Sequence, residues 1–269
     1  MDRTTYQTPG QLALDIEIPA GDIVVRANAV DVTTLSISEL RDPDDVRVTF
    51  ADDRDGGHRL SIEYKRRTRL KWFDDYKVRV EVSVPEGTHV RIGTASANVD
   101  ATGRLGSAKV RSASGNVTLG EVAGRVDVQA ASGDLDVASV GDELSFTSAS
   151  GDVRAGAVVG VVAVRTASGD VRIHSASTDV RCTTVSGDIE LGSVTAGDAN
   201  LKSVSGDIGI AVAPGTRVMF DVSSMSGRTE SELAEAHAPT DPDPMLTLKA
   251  GSVSGDIRIR RAADQPAAN

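Results

Sequence analysis

Apolar and polar residues alternate with a period of two along most of this chain. In residues 12–18 and 78–84, every second residue is Leu, Ile or Val, and the residues between them are mostly polar or charged. A period of two is typical of β-strands that bury one face and expose the other. The pattern therefore predicts an all-β protein.

A repeated tripeptide, Ser-Gly-Asp or a close variant of it, interrupts the alternation at regular intervals. Its serine stands at Ser96, Ser114, Ser132, Ser150, Ser168, Ser186, Ser205, Ser226 and Ser254. The first five spacings are each 18 residues, and the next three are 19, 21 and 28 residues. Such constancy predicts a repeat architecture in which each unit stacks on the one before it.

Alignment of the repeats on this serine separates two short strands in each repeat. The positions six and four residues before the serine are apolar almost throughout, and the position three residues after it is apolar in all repeats except that of Ser226, where it is Thr229. These positions predict the core, and they include Val162, Val164, Val171, Val180, Cys182, Ile189 and Phe220. Stacking of like positions would then form one thin core of mainly Val, Ile, Leu and Ala.

The Ser-Gly-Asp segment is predicted to form the corner between the two strands. We expect its glycine to supply a positive φ and its Asp or Asn to bind amides of its own turn. The fold class expected is all-β, a single-stranded β-solenoid (β-helix) with 18-residue coils, right-handed winding and an N-terminal β cap. Residues 1–88 would cap or start the solenoid, 89–260 would form its repeats, and 261–269 would be a disordered tail. The wide last interval predicts an insertion loop at 227–250 with a short helix over 230–237.

Composition narrows the classes of function. The chain has 269 residues, a net charge of -10 and only 3% aromatic residues. Few rings disfavour a stacking platform for single-stranded nucleic acid, and an acidic chain is repelled by phosphates. We therefore expect no nucleic-acid partner.

The single cysteine and the absence of long apolar runs bear on location. Cys182 cannot form an internal disulfide and fits a reducing compartment. Residues 1–7 hold no apolar run, and no stretch of about 18 apolar residues could span a bilayer. We expect a cytoplasmic protein without a membrane span, and a surface location stays open if an export segment precedes this sequence.

The corner acids form the first candidate site. Asp134, Asp152, Asp170 and Asp188 should stack in one column, and regular arrays of oxygen ligands can bind calcium. The alternative is that each Asp binds backbone amides, with Arg154 and Arg172 neutralising part of the column. A second column of Ser and Thr, two residues before the motif serine, either hydrogen-bonds coil to coil or orders water. We predict no cofactor.

A carbohydrate-active enzyme is the catalytic alternative. Glycoside hydrolysis needs two carboxylates about 5 to 9 Å apart, and Asp134 with Asp136 or Asp152 could supply them. All repeats present similar acids, however, and none departs from the pattern as a catalytic coil should. We predict no catalytic residues.

The one basic cluster of the chain precedes the strand predicted at residues 78–84. It provides the candidate partner contacts Lys65, Arg66, Arg67, Arg69, Lys71 and Trp72. Such a cluster can dock an anionic surface, although Asp74 and Asp75 follow at once and a solvated hairpin tip is the alternative.

The Ser-Gly-Asp-Val/Ile unit, together with Val-Pro-Glu-Gly-Thr at 84–88, resembles the bacterial adhesin-like β-strand-repeat family, whose function is unassigned. The resemblance covers nearly the whole chain and implies a β-solenoid without catalytic residues. We therefore expect a non-enzymatic scaffold or interaction module. Its partner would be a protein or an envelope component, or a further copy of the chain placed end to end or side by side. A carbohydrate-active enzyme and a calcium-binding repeat protein are the alternatives.

Overall fold

A computed structural model describes residues 3–40, 42–52, 56–65, 77–233 and 244–262. In these residues the chain forms β-strands and one turn of 3-10 helix at Pro43–Asp45. It divides into two compact units, residues 1–139 and 140–269. The all-β prediction is confirmed.

Unit 1 is built from two sheets, named here 1A and 1B. Its strands are β1 (Arg3–Gln7), β2 (Leu12–Ile18), β3 (Gly21–Asn28), β4 (Val32–Ser38), β5 (Val46–Asp52), β6 (His58–Tyr64), β7 (Val78–Pro85), β8 (His89–Thr94), β9 (Asn98–Leu105), β10 (Ser107–Ser112), β11 (Val117–Val122), β12 (Val126–Ala130) and β13 (Leu135–Val140). Sheet 1A has the order β1-β4-β7-β3-β9-β11-β13, and sheet 1B has the order β5-β6-β2-β8-β10-β12.

Parallel pairing aligns the repeats of unit 1 in register. Val90 lies beside Ala108, and Ala108 lies beside Val126, so neighbouring strands are offset by 18 residues. These inward side chains are buried. Like residues therefore stack on like, and parallel strands in two stacked sheets bury the core that the alternation predicts.

The first coils of unit 1 do not stack in sequence order. Strand β2 pairs with both β6 and β8, and β3 pairs with both β7 and β9, always in parallel. The coil β6–β7 therefore lies outside the earlier coil β2–β3. Beyond it, β5 pairs antiparallel with β6, β4 pairs antiparallel with β7, and β1 adds to β4.

Unit 2 has the same construction, in sheets named here 2A and 2B. Its strands are β14 (Leu144–Thr147), β15 (Val153–Val158), β16 (Val162–Arg165), β17 (Val171–Ala176), β18 (Val180–Thr183), β19 (Ile189–Val194), β20 (Gly197–Ser205), β21 (Ile208–Val212), β22 (Arg217–Ser224), β23 (Thr229–Ser231), β24 (Met245–Ser254) and β25 (Ile257–Arg261). Sheet 2A has the order β15-β17-β19-β21-β25-β23, and sheet 2B has the order β14-β16-β18-β20-β24-β22.

The last coils of unit 2 also exchange places. Strand β24 pairs with β20 on one side and with β22 on the other, so the coil β24–β25 lies between β20–β21 and β22–β23. The predicted insertion 227–250 therefore contains strand β23 near its start and part of strand β24 at its end. Glu230 and Ser231, predicted as helix, belong to strand β23, and residues 234–243 lie outside the described residues.

The corner glycines are required for a different reason from the one the sequence indicates. Gly169, Gly187 and Gly206 do not have positive φ angles. A Cβ on Gly187 would instead stand 2.1 Å from the carbonyl oxygen of Gly169, and one on Gly206 would stand 2.0 Å from that of Gly187. At these two corners only glycine fits, because each lies directly against the backbone of its neighbour, whereas the first corner of the repeat accommodates Ala97.

One predicted core residue is not buried. Phe220 occupies the inward column of β22 and lies beside Leu248, yet its exposed fraction is 52%, whereas that of Leu248 is 0%. The difference arises because β22 is the last strand of sheet 2B, and within the described residues no further coil covers it.

Candidate interaction surfaces

The corner acids of unit 2 form a continuous hydrogen-bonded ladder. The backbone N–H of Asp188 donates to Oδ1 of Asp170 at 3.0 Å, and that of Asp207 donates to Oδ1 of Asp188 at 2.8 Å. The ladder continues to Asp256, whose Oδ1 accepts from the backbone N–H of Arg228. Each carboxylate therefore binds the amide of the next corner, whereas the sequence indicated its own turn.

The corresponding corners of unit 1 make the same bond with neutral side chains. The N–H of Asn116 donates to Oδ1 of Asn98 at 3.2 Å, and the N–H of Asp134 donates to Oδ1 of Asn116 at 3.1 Å. At these positions a side-chain amide oxygen accepts the hydrogen bond that a carboxylate oxygen accepts in unit 2. The shared requirement is a hydrogen-bond acceptor for the next amide, not a negative charge.

Arginines use the second carboxylate oxygen at several corners of unit 2. Arg172 donates to Oδ2 of Asp170 at 2.8 Å, and Arg258 donates to Oδ2 of Asp256 at 3.1 Å. These oxygens are already engaged by protein groups, which favours a structural role. Within the described ranges, no three His, Cys, Asp or Glu side chains are grouped so as to hold a metal ion. Calcium binding by Asp134, Asp152, Asp170 and Asp188 stays an untested alternative.

The Ser and Thr column joins successive coils. The hydroxyl of Thr184 donates to the carbonyl of Gly169 at 3.3 Å, that of Ser203 to Gly187 at 3.2 Å, and that of Ser252 to Gly206 at 3.2 Å. All three side chains are buried. The hydroxyls hydrogen-bond coil to coil, and their burial leaves them unable to order water at the surface.

Cys182 lies in the core between Val164 and Leu201. It is fully buried, and burial raises the pKa of its thiol to about 12. A thiol that stays protonated and inaccessible is not a nucleophile. Cys182 therefore serves as a packing residue.

The predicted basic cluster is described only at its first residue. Lys65 follows β6 directly, is exposed, and donates its backbone N–H to the carbonyl of Asp45 at 2.7 Å. Arg66, Arg67, Arg69, Lys71 and Trp72 lie outside the described residues. Their role as partner contacts stays a prediction.

A second group of cations lies on the outer face of sheet 2B. It consists of Arg165, Arg181, Lys202 and Lys249, here called the cation row. Each belongs to a different strand, and these strands are neighbours in the order β16-β18-β20-β24. All four side chains are exposed, and none forms an ion pair with another described residue. Although Asp221 lies beside Lys249 on the neighbouring strand, the four cations together create a local positive field on an acidic protein.

Several charged groups on other surfaces of the described strands form ion pairs with each other. On sheet 1B, Lys109 pairs with Asp127 at 2.8 Å and Arg59 pairs with Asp15. On sheet 2A, Arg258 pairs with both Asp207 and Asp256, and Arg260 pairs with Glu190. The cation row differs from these surfaces because its charges are left for solvent or a partner.

Comparison with known proteins assigns the chain to a family. The family model described as Toastrack DUF4097 matches residues 12–264. The chain belongs to this family. The Toastrack family is a domain of unknown function, so membership supplies no activity, ligand or partner. A comparison with curated proteins finds no significant match.

Two solved structures align with nearly the whole Toastrack chain at low similarity. One is called a "putative adhesin" from Bacteroides fragilis NCTC 9343, with 15% identity, a TM-score of 0.42 and coverage of 96% of each chain. The other is called a "putative cell adhesion protein" from Clostridium sporogenes ATCC 15579. It has 10% identity, a TM-score of 0.26 and coverage of 97% of this chain and 99% of that one.

The sequence of this Toastrack protein carries a signal for the cation row that the search for motifs missed. The members of the row stand five or three residues before the motif serine, at the outward positions between the core columns. Summing charge separately over each outward column would have revealed them.

Among the described residues, no helix has the length and apolar character needed to cross a bilayer.

Proposed function

We propose that this Toastrack protein is a non-enzymatic interaction module that binds an acidic protein through the cation row. The observation that carries the proposal is that Arg165, Arg181, Lys202 and Lys249 are exposed and lack ion-pair partners among the described residues. A flat array of unneutralised charge steers an oppositely charged surface into contact and fixes its orientation. The β-strands beneath hold the four side chains on one face.

An acidic protein suits the row better than nucleic acid does. Two exposed carboxylates lie near the row. Asp198 is on the same strand as Lys202, and Asp221 lies beside Lys249 on the neighbouring strand. Both would repel a phosphate backbone. The net charge of -10 acts in the same direction over longer distances. An acidic protein can place cations of its own opposite these two carboxylates, which a polyphosphate cannot.

The corner acids offer little to the carbohydrate-active alternative. A catalytic pair needs one carboxylate to deliver a proton and another to act as base or nucleophile. In the described ladder the carboxylate oxygens accept backbone amides and arginines instead. The repetition that makes a good scaffold leaves no coil distinct from its neighbours.

Two finer features belong to the same proposal. We infer right-handed coils, of 18 residues where the motif serines are 18 apart, and a crystal structure would show both the hand and the coil length. We also infer that the protein works in the cytoplasm, which cell fractionation with an antibody would test. Neither feature is needed for binding through the cation row.

The test compares two double variants with the same change in charge. Arg181→Glu with Lys202→Glu reverses the row, while Arg154→Glu with Arg172→Glu makes the same change on sheet 2A. Each protein is immobilised, proteins captured from a nuclease-treated native lysate are identified, and the affinity of each purified partner is measured against salt concentration. We expect wild type and the sheet 2A variant to bind a common acidic protein, with at least about tenfold weaker binding by the row variant.

Three results would contradict the proposal. Wild-type protein could recover no partner while it turns over a polysaccharide. The two double variants could bind alike, which would separate the partner from the row. Capture could also depend on nucleic acid and disappear after nuclease treatment.

A further inference from the structure

Strand β22 leaves one backbone edge open at the end of sheet 2B. It pairs in parallel with β24 from Arg217 to Ser224, and among the described strands none pairs with its other side. Such an edge carries unpaired N–H and C=O groups and is a template for another strand. Natural edges are commonly protected by Pro or by charged side chains, especially Lys. β22 contains no Pro or Lys, and its only charged residues are Arg217 and Asp221.

The core is also open at this strand. Phe220 is half-exposed in the inward column, although Leu248 beside it is fully buried. On the outward side Met219 is 60% exposed, and at the following corner Met225 is 81% exposed. Val253, Met245, Val204 and Val185 extend the exposed apolar surface over neighbouring strands. Apolar surface of this kind, beside an open edge, marks an interaction surface.

The order of residues along β22 makes the strand complementary to itself. An antiparallel copy centred on Met219 would place the two Met219 side chains opposite each other. Phe220 would then face Val218 of the second copy on the core side. Arg217 would face Asp221 of the second copy on the outer side, once at each end of the contact. Opposite charges and apolar pairs directly across strands each stabilise a sheet.

We propose that two copies of this protein form a symmetric dimer by antiparallel pairing of their β22 strands around Met219. The pairing would satisfy the open backbone edge and cover Phe220 and Met219 in one step. Because the same patch serves both copies, the contact is isologous and closes at two. An isologous contact uses the β22 edge of both copies, so it does not by itself extend into a filament. This inference does not depend on the partner proposed for the cation row.

Self-association and core exposure provide the first test. Wild-type protein and Phe220→Asp are compared by analytical ultracentrifugation over a range of concentrations, with circular dichroism to verify the fold. Phe220 is half-exposed, so we expect the variant to fold and its dimer to be at least about tenfold weaker. Thr247→Asp, on the neighbouring strand β24, is the matched control and should stay dimeric.

Disulfide trapping tests the register itself. Directly opposite residues in an antiparallel pair have Cβ atoms about 4.5–5.5 Å apart, within reach of a disulfide after a small adjustment. Met219→Cys should therefore give a covalent dimer on mild oxidation. Ser223→Cys, exposed on the same strand but away from the axis, should not. Native Cys182 is buried and should remain unreacted.

The outcomes separate this dimer from other occupants of the edge. A wild-type protein that stays monomeric at high micromolar concentration would overturn the proposal, and would point to residues 234–243 or another protein as the cover. A dimer that Phe220→Asp leaves intact, or that Ser223→Cys traps as well as Met219→Cys does, would also overturn it. Loss of dimerisation with unchanged partner capture would leave the proposed function standing.

Discussion

The two ends of the repeat are terminated in different ways. At the start of unit 1, strands β5, β4 and β1 cover the coil β6–β7, and the core residues Leu60 and Ile62 are fully buried. Tyr6 stacks on Phe50 with ring centroids 4.8 Å apart, and Phe50 stacks on His58 at 5.6 Å. At the end of unit 2, the coil β22–β23 is outermost and Phe220 is half-exposed, although it stands in the inward column.

The comparison shows that a repeat sequence does not terminate itself. Each coil buries its apolar face only against a neighbour, so the last coil needs a different kind of structure or a partner. In unit 1 that structure is an antiparallel cap that uses two of the few aromatic rings. In unit 2 the same apolar columns simply continue to the outermost strand. Four experiments would break or sharpen this contrast.

The largest difference in the free energy of unfolding should appear between truncations of a core residue at the two ends of the repeat. Leu60→Ala, beneath the cap, should lower the free energy of unfolding by about 2–5 kcal/mol because it leaves a cavity in a closed core. Phe220→Ala should cost about 1 kcal/mol because half of the ring is already exposed. Urea unfolding at concentrations too low for self-association measures both. Equal losses would mean that the two ends are covered alike.

The stability lost on replacing a corner glycine should depend on whether its coil can move away from its neighbours. Gly187→Ala would press a Cβ against the carbonyl of Gly169, with coils on both sides, and should cost about 1–3 kcal/mol. Gly227→Ala meets the carbonyl of Gly255 at 1.9 Å but belongs to the outermost coil, which can move away from its single neighbour. We expect a smaller loss at Gly227 in the same urea experiment. The reverse order would show that the outermost coil is held as firmly as an interior one.

A smaller effect concerns the pH dependence of the capped end. The hydrogen bond from Arg79 Nε to Glu81 Oε1, at 2.9 Å, lowers the pKa of Glu81 below its ordinary value of 4.5. The contribution to stability is therefore present above pH 4.5 and is lost as the pH falls through the lower folded pKa. Glu81→Gln should be slightly less stable than wild type near neutrality, and the two should converge in acid. Thermal melts across pH would measure this, with Arg79→Ala expected to remove the same component.

The smallest effect is expected from removing calcium. Neutral Asn98 and Asn116 accept the same corner hydrogen bond as the aspartates of unit 2, so the ladder does not need a cation to form. The melting temperature should be the same in calcium and in chelator. A higher melting temperature in calcium than in chelator would identify the aspartate column of unit 2 as a binding site. It would also separate that column chemically from the asparagine corners of unit 1.

Prediction from sequence succeeded where neighbouring coils are alike. Val164, Cys182 and Leu201 are buried in one column because each stands at the same place in its repeat. It failed at Phe220, which has the right position but lacks a coil above it. At the start of the helix expected over 230–237, Glu230 and Ser231 are instead in a strand, because β23 pairs in parallel with β25, and residues 234–237 lie outside the described residues.

The candidate surfaces were harder to predict than the fold. The Asp column was visible because it belongs to the conspicuous motif, but its partner is the next corner and not its own turn. The cation row was missed because its residues alternate between two positions of the repeat, and only strand pairing brings them onto adjacent strands. Whether a charge is neutralised depends on neighbours 18 or more residues away, as with Lys109 and Asp127.

The sequence by itself determined the all-β class, the period of the repeat and the residues that face the core, because these follow from local alternation and constant spacing. Tertiary structure alone decided the order in which coils stack at each end, the reason that corners require glycine, and the exposure of Phe220. Each of these depends on which backbone lies next to which, and a coil's own residues do not record the identity of its neighbours. The end of the repeat is therefore where the structure adds most to the sequence.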